Sequence, residues 1–387
     1  MSFSRRPSAT RNIDARAALA ALVLGAVLVW AAPLAGLALA GRPLAPYLAF
    51  PPRTAQVAHA PFSWAVFALL CAPLAATLGL YGAALLRARP APRQPAVARF
   101  PRWGWLGPAL LAAGWLAAWS DSLVPAAWRR ESFSVLWLGY IVAVNALVYR
   151  RAGRSLITHR RRWFYSLFPA SALFWWSFEY LDQFVGNWYY VGVVARGDWD
   201  YFLKATLPFC TVLPAVASTW DWLRQSPRLD ALALPAVNGG ATLACLALVA
   251  GTLGLAGIGL WPDGLFSLLW LAPLFILGGL QKLLAGETLF APLMRGDWRP
   301  LLQPALAALV CGLLWELWNS GSLAKWHYSI PYVERFRVFE MPLLGFAGYL
   351  PFGVECALVM DLIARAVERR ALWPLLAGEP AALPDVR

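Results

Sequence analysis

Charge is scarce in this chain. Only 14% of its 387 residues are Asp, Glu, Lys or Arg, where a soluble domain carries about 25%. That excludes an ordinary water-soluble globule. Histidine is scarcer still. His59, His159 and His327 stand in separate loops, so no zinc-type ligand set is spelled out. The five cysteines, Cys71, Cys210, Cys245, Cys311 and Cys356, never fall in CxxC spacing and read as packing residues without redox or metal chemistry. Phosphate loops, dinucleotide-binding glycines and nucleophile elbows are missing. This excludes ATP-driven pumping and most soluble-enzyme chemistry. No cofactor and no metal are expected.

What is present is apolar surface, at 60% hydrophobic residues. Apolar runs of about 20 residues, the length a bilayer requires, recur along the whole chain. Ten spans are expected: Ala17–Ala40, Phe62–Leu86, Trp103–Trp119, Phe133–Tyr149, Phe164–Leu181, Phe202–Leu223, Ala231–Leu260, Leu265–Leu284, Leu301–Trp318 and Met341–Ala364. The first follows Arg5, Arg6 and Arg11 as a signal peptide would, but its length favours a retained helix. The net charge of +13 could suggest a nucleic-acid partner, yet the placement of the basic residues argues against one. Most of the 33 Lys and Arg fall on one side of the ten spans, densest at Arg150, Arg151, Arg154, Arg160, Arg161 and Arg162. That asymmetry predicts both termini in the cytoplasm, with anionic membrane lipids as partners.

The fold class expected is all-α, a polytopic transmembrane bundle of about ten helices. Residues 1–102 hold a helix pair and a basic linker whose prolines (Pro90, Pro92, Pro95, Pro101) interrupt any helix. Residues 103–230 and 231–364 form two four-helix units, and 365–387 a cytoplasmic tail with Pro374, Pro380 and Pro384. The units repeat. Phe178-Glu179-Tyr180-Leu181-Asp182, Asn187-Trp188-Tyr189-Tyr190 and Val212-Leu213-Pro214 match Trp315-Glu316-Leu317-Trp318-Asn319, Lys325-Trp326-His327-Tyr328 and Tyr349-Leu350-Pro351. From Glu to Pro is 35 residues in both copies. Upstream, Gly153-Arg154-Ser155-Leu156 before Trp163 parallels Gly286-Glu287-Thr288-Leu289 before Trp298. A fixed-period self-match marks a duplicated unit. An even number of helices per unit makes the repeats parallel, related by an axis along the membrane normal.

Ionisable groups inside a membrane are costly and usually functional or paired. Glu355 is the deepest, one turn after Pro351; its counterpart in the first unit is Ser218. Glu316 and Glu179 recur with Asn319 and Asp182 three residues later, on one helix side. Glu355, Glu316 and Glu179 are therefore the candidate catalytic groups. Trp315, Asn319, Trp326, His327, Tyr328, Trp188 and Asp182 are the candidate ligand contacts. Glu340 joins them, although at the start of the last span the helix dipole alone would favour an acid. The prolines Pro208, Pro214, Pro342 and Pro351 predict broken helices at matching places, a pointer to a binding site. Asn145, Asn238 and Gln281 are expected to bond between helices.

Trp315-Glu316, Lys325-Trp326-His327-Tyr328, Pro331-Tyr332-Val333 and Leu350-Pro351 with Glu355 resemble the lycopene cyclase domain of bacterial and archaeal carotenoid pathways. The resemblance covers about 60 residues of the second unit. It implies a bacterial inner (plasma) membrane protein, an isoprenoid ligand and acid-catalysed ring closure without redox change. The family's adjacent acids after the proline are replaced here by Phe352-Gly353-Val354 before the single Glu355. A buried carboxyl can protonate an alkene, and Trp and Tyr faces can stabilise the cation. A transporter or carrier of an amphipathic solute and a non-catalytic scaffold are the alternatives. The topology has a direct test. Reporter fusions after Arg99, Arg160 and Arg370 are expected to read cytoplasm, and a periplasmic signal at Arg160 overturns it.

Overall fold

The computed structural model describes residues 15–90, 98–120 and 122–373. Arg5, Arg6 and Arg11, the linker prolines Pro92 and Pro95, and the tail prolines lie outside the described residues. The chain is a helical bundle: α1 Ala15–Leu39, α2 Trp64–Arg87, α3 Leu106–Trp119, α4 Ala126–Arg129, α5 Ser132–Ala152, α6 Leu156–His159 and α7 Arg161–Val185. Then follow α8 Asp198–Phe209, α9 Val212–Leu223, α10 Ala241–Leu260, α11 Pro262–Leu265, α12 Leu268–Ala285, α13 Arg299–Gly321 and α14 Tyr349–Glu368. Four short strands, β1 Trp188–Val191, β2 Lys325–Tyr328, β3 Arg337–Val338 and β4 Met341–Pro342, make two antiparallel ribbons.

Among the described residues, eight helical segments are long and apolar enough to cross a membrane: α1, α2, α5, α8 with α9, α10, α12, α13 and residues 343–368. Two expected spans are not among them. Trp103–Trp119 contains a helix of only 14 residues. Phe164–Leu181 lies in the 25-residue α7, which opens on Arg161 and Arg162 and closes on Glu179, Asp182 and Gln183, so its apolar character is diluted.

Three boundaries differ from the sequence reading. The span expected from Ala231 begins at Ala241, because Pro235 and Gly239-Gly240 disfavour a helix; Asn238 therefore lies outside any helix. The segment Phe202–Leu223 breaks at Cys210-Thr211 into α8 and α9. The last helix starts at Tyr349 rather than Met341, after a 3-10 stretch over Leu343–Gly348. Pro214 and Pro351 are each the third residue of a new helix. There the missing N–H has no helical partner to lose, so both breaks fall just before the repeated Leu-Pro.

Packing follows a similar scheme in the two halves. α3 packs on α5, and α5 and α7 on α9; α10 packs on α12, and α12 and α13 on α14. The halves meet where α13 packs on α9 and α7 on α14. Left-handed glycines, Gly153 and Gly286, end α5 and α12, as a helix C-terminus favours. Each is followed by a backbone N–H bound by a buried amide: Ile157 N, in the first turn of α6, donates to Asn145 Oδ1 at 3.3 Å and Leu289 N to Gln281 Oε1 at 3.0 Å. The other arms of these amides reach across helices, to Ser218 Oγ at 2.8 Å and Asp361 Oδ2 at 2.6 Å.

α1 lies against α10, α12, α14 and α7. Its approach to α10 needs small residues, because a Cβ on Gly36 would sit 1.9 Å from the Ala256 carbonyl oxygen. Close glycine contacts of this kind drive helix association in a bilayer. Gly36→Ala is thus expected to lower the thermal midpoint in detergent by the equivalent of about 1–3 kcal/mol. Gly82→Ala, where a Cβ meets nothing within 4 Å, is expected to raise it by about 0.5–1 kcal/mol through helix propensity. Equal shifts in the two variants would refute this account of the α1 contact.

Candidate functional site

Glu179 and Glu316 sit near the ends of α7 and α13, both fully buried. A buried carboxyl needs compensating donors. Among the described residues no cation bonds either one; the donors are aromatic side chains. Glu179 Oε1 accepts from Trp175 Nε1 at 2.9 Å, Trp188 Nε1 at 3.2 Å and Tyr190 Oη at 2.5 Å. Glu316 Oε1 accepts from Tyr328 Oη at 2.7 Å and Tyr349 Oη at 2.9 Å. Trp326 Nε1 donates to Tyr328 Oη at 2.7 Å. In both cases Oε2 is buried and has no partner.

The strands supply the donors. Side chains two apart on a strand share a face, so Trp188 and Tyr190 point together, as do Trp326 and Tyr328. Asp182 and Asn319 fix where each strand starts. Asp182 accepts from Asn187 N at 2.7 Å and Trp188 N at 3.4 Å. Asn319 accepts from Trp326 N at 2.9 Å and donates to Trp326 O at 2.8 Å. β1 and β2 then pair antiparallel, Trp188 opposite Tyr328 and Tyr190 opposite Trp326. Each copy's tryptophan faces the other copy's tyrosine, the register that a local two-fold axis produces. Burial, then the adjoining glutamate, raises the phenols of Tyr190 and Tyr328 well above their ordinary range, so both remain donors.

One exchange distinguishes the halves. Four residues before Glu179 stands Trp175, a donor on the same helix face. Four before Glu316 stands Gly312, whose absent side chain leaves room for the Tyr349 ring; a Cβ there would lie 2.3 Å from it. The residue matching Tyr349 in the first half is Val212. A large donor and a small residue have traded helices, and each carboxyl keeps an aromatic N–H or O–H.

The donor rings Trp175, Trp188, Tyr190, Tyr328 and Tyr349 line a cavity of about 170 Å³, together with Trp270, Trp315 and Trp326. Arg130, Lys204 and Lys325 also line it. Behind these walls Phe352, fully buried, meets Phe174, Trp175, Phe178, Trp270 and Trp315 at centroid distances of 5.5–6.1 Å.

Of the residues singled out in the sequence, Glu179, Glu316, Trp188, Trp315, Trp326, Tyr328, Asp182 and Asn319 come together here. Glu355 does not. It is buried on α14 without a hydrogen-bond partner for Oε2, and no tryptophan or tyrosine among the described residues donates to it; like Glu179 and Glu316, it is not itself among the residues that line the cavity. Glu340 does not open a helix. It precedes β4 and bonds Lys325 at 3.2 Å and His327 Nδ1 at 2.9 Å, so the ion pairs rather than a helix dipole account for its place. His327 lies on the outward face of β2, over Tyr189, and reaches no carboxyl of the site. Tyr190, Tyr349, Trp175 and Trp270 were absent from the sequence-based set. Trp175 carries a signal, its i−4 spacing from Glu179, and Tyr349 directly precedes the repeated Leu-Pro. Among the described residues no cluster of His, Cys, Asp and Glu could hold a metal ion.

Removing one hydroxyl donor while the carboxyl stays buried is expected to cost about 1–3 kcal/mol. Tyr190→Phe and Tyr328→Phe should each show this loss in thermal unfolding, whereas Tyr165→Phe, at a residue 53% exposed, should not. Wild-type stability in both site variants would mean the bonds carry no weight. Compared with known protein families, curated proteins and solved structures, the chain matches none.

Proposed function

We propose that the protein is an integral membrane enzyme that holds a hydrophobic, isoprenoid-like chain in the aromatic cavity and acts on it as an acid. One observation carries this reading: each glutamate has one oxygen occupied by N–H and O–H donors and the other buried and bare. With Oε1 committed as acceptor, a proton on either carboxyl belongs on Oε2. From there it passes to an alkene carbon, which forms a C–H bond and leaves a cation on the adjacent carbon. An internal double bond closes the ring onto that cation, and loss of a neighbouring proton to a carboxylate restores neutrality. Nothing is oxidised or reduced. Indole and phenol faces stabilise the cation.

The acid in this proposal is Glu316, with Glu179 as the second acid or base. The donor rings of Glu179 and Glu316 line the cavity, whereas Glu355 has no aromatic donor among the described residues. The resemblance to the lycopene cyclase domain family supports the same chemistry. The reading includes ten spans, an N-terminal pair followed by two parallel four-helix repeats, 103–230 and 231–364, with both termini cytoplasmic in a bacterial inner membrane; the matching packing of the two halves and the β1–β2 register support the repeats. A carrier of an amphipathic solute is the second reading, favoured by Arg130, Lys204 and Lys325 on the cavity wall.

Two measurements test the proposal. Mass spectrometry of lipids extracted from the purified protein is expected to find an isoprenoid or polyene. Membranes holding the protein, supplied with a linear polyene such as lycopene, are expected to yield a ring-closed isomer of unchanged mass. Glu316→Gln keeps shape and removes the acid, and is expected to cut turnover by about 10²–10⁴-fold. Undiminished turnover in Glu316→Gln, or a polyene neither bound nor converted, would sink the enzyme reading.

A further inference from the structure

A second cavity of about 410 Å³ adjoins the first. It lies between α2 on one side and α12, α13 and α14 on the other. Along α2 its lining runs from Leu70 to Tyr81, which at the helical rise of 1.5 Å per residue is about 17 Å. The lining is mostly Leu, Ile, Val, Pro, Ala and Phe. Two of its polar groups are already occupied: Tyr81 Oη donates to Leu302 O at 2.6 Å and Thr77 Oγ1 to Pro73 O at 2.8 Å. Asn187 and Ser267 sit beside Trp188 and Trp270, where the second cavity meets the first.

The two cavities share Trp188, Trp270, Tyr328, Met341, Gly345 and Gly348. Two of these, Trp188 and Tyr328, are donors to the two glutamates. Gly348 faces Trp270 across this shared wall, where a Cβ would come to 3.8 Å of the ring, an ordinary contact. The side facing away from the bundle is α2, in which Ala84 is the only buried residue.

We propose that the second cavity binds the body of a long, linear, membrane-dissolved hydrocarbon chain whose end reaches past Gly348 into the aromatic cavity. The inference rests on the isoprenoid reading and narrows it from a hydrophobic ligand to an elongated one. Length and apolar lining select a chain over a compact ring system. The first cavity alone, at about 170 Å³, is smaller than the roughly 300–1,000 Å³ of most small-ligand sites. The shared wall brings the chain's end, and not its middle, to the rings that donate to the carboxyls. The exposed α2 is the side from which a chain dissolved in lipid would enter.

The test uses the full chain in detergent with parinaric acid, a linear fluorescent polyene, detected by energy transfer from tryptophan. Geraniol, farnesol and geranylgeraniol compete. The parent is expected to bind geranylgeraniol more tightly than geraniol. Leu74→Trp on α2 and Ala347→Phe on the opposite wall both fill the second cavity without touching a glutamate donor. Each is expected to weaken geranylgeraniol by about tenfold, a loss of two or so buried methylenes, and to leave geraniol unchanged. If both folded variants keep the full length dependence, the chain lies elsewhere and the proposal is overturned. Prenols that bind equally well at every length overturn it too, while the isoprenoid reading stands. Failure of every prenol to displace the probe overturns both. In nanodiscs of brominated phosphatidylcholine, tryptophan quenching that geranylgeraniol does not relieve would make the cavity a groove for ordinary bilayer lipid, and would likewise overturn the proposal.

Discussion

A carboxyl taken out of water without a cation beside it must be given donors, and most of the architecture around this site answers that demand. Glu179 and Glu316 lie at the ends of helices in an apolar bundle, where the nearest available N–H and O–H groups are those of tryptophan and tyrosine. To bring them to bear, the chain leaves each helix after Val185 or Gly321 and continues as a short strand, whose start Asp182 or Asn319 holds by accepting its backbone N–H. The donor rings then become the walls of a cavity. Satisfying the carboxyls and building an aromatic chamber are thus one structural act. The satisfaction is incomplete, with each Oε2 buried and bare.

The trade between Trp175 with Val212 and Gly312 with Tyr349 shows how strict the demand is. The two halves solve the same local problem from different helices, and in each the ring that donates is matched by a small or slender residue opposite. Phe352, just after the repeated Leu-Pro, ties both solutions together by packing on rings from α7, α12 and α13. The halves are alike in their donors and unlike in their shapes. A cavity between them is therefore asymmetric.

Much of this was legible in the sequence. The apolar runs predict the bundle, because a bilayer tolerates little else. Glu179 with Asp182 and Glu316 with Asn319 announce themselves by recurring at one spacing. What escaped was governed by tertiary contact. Four-residue strands such as Trp188–Val191 are too short for alternation to stand out, and His327, in the strand opposite, was expected in a loop. Glu355 looked decisive because depth in a span was the only measure available; the donors that mark out the other two glutamates come from residues distant in sequence or on short strands. Glu340 looked like a helix cap because Pro342 and the glycines Gly345 and Gly348 hid the 3-10 stretch before Tyr349. Trp270 gives no local sign of its role, since it meets Trp188 and Phe352 only once the halves have docked.

The register of the small ribbon has a mechanical consequence. Because side chains alternate faces along a strand, a one-residue slip of β1 would swing Trp188 and Tyr190 away from Glu179, and the same slip of β2 would swing Trp326 and Tyr328 away from Glu316. Each strand is held in register by the other, Trp188 against Tyr328 and Tyr190 against Trp326. A strand that shifts to free its own acid therefore also gives up the pairing that steadies its neighbour. The two acids stand on different helices in different halves of the chain, and this one ladder couples them.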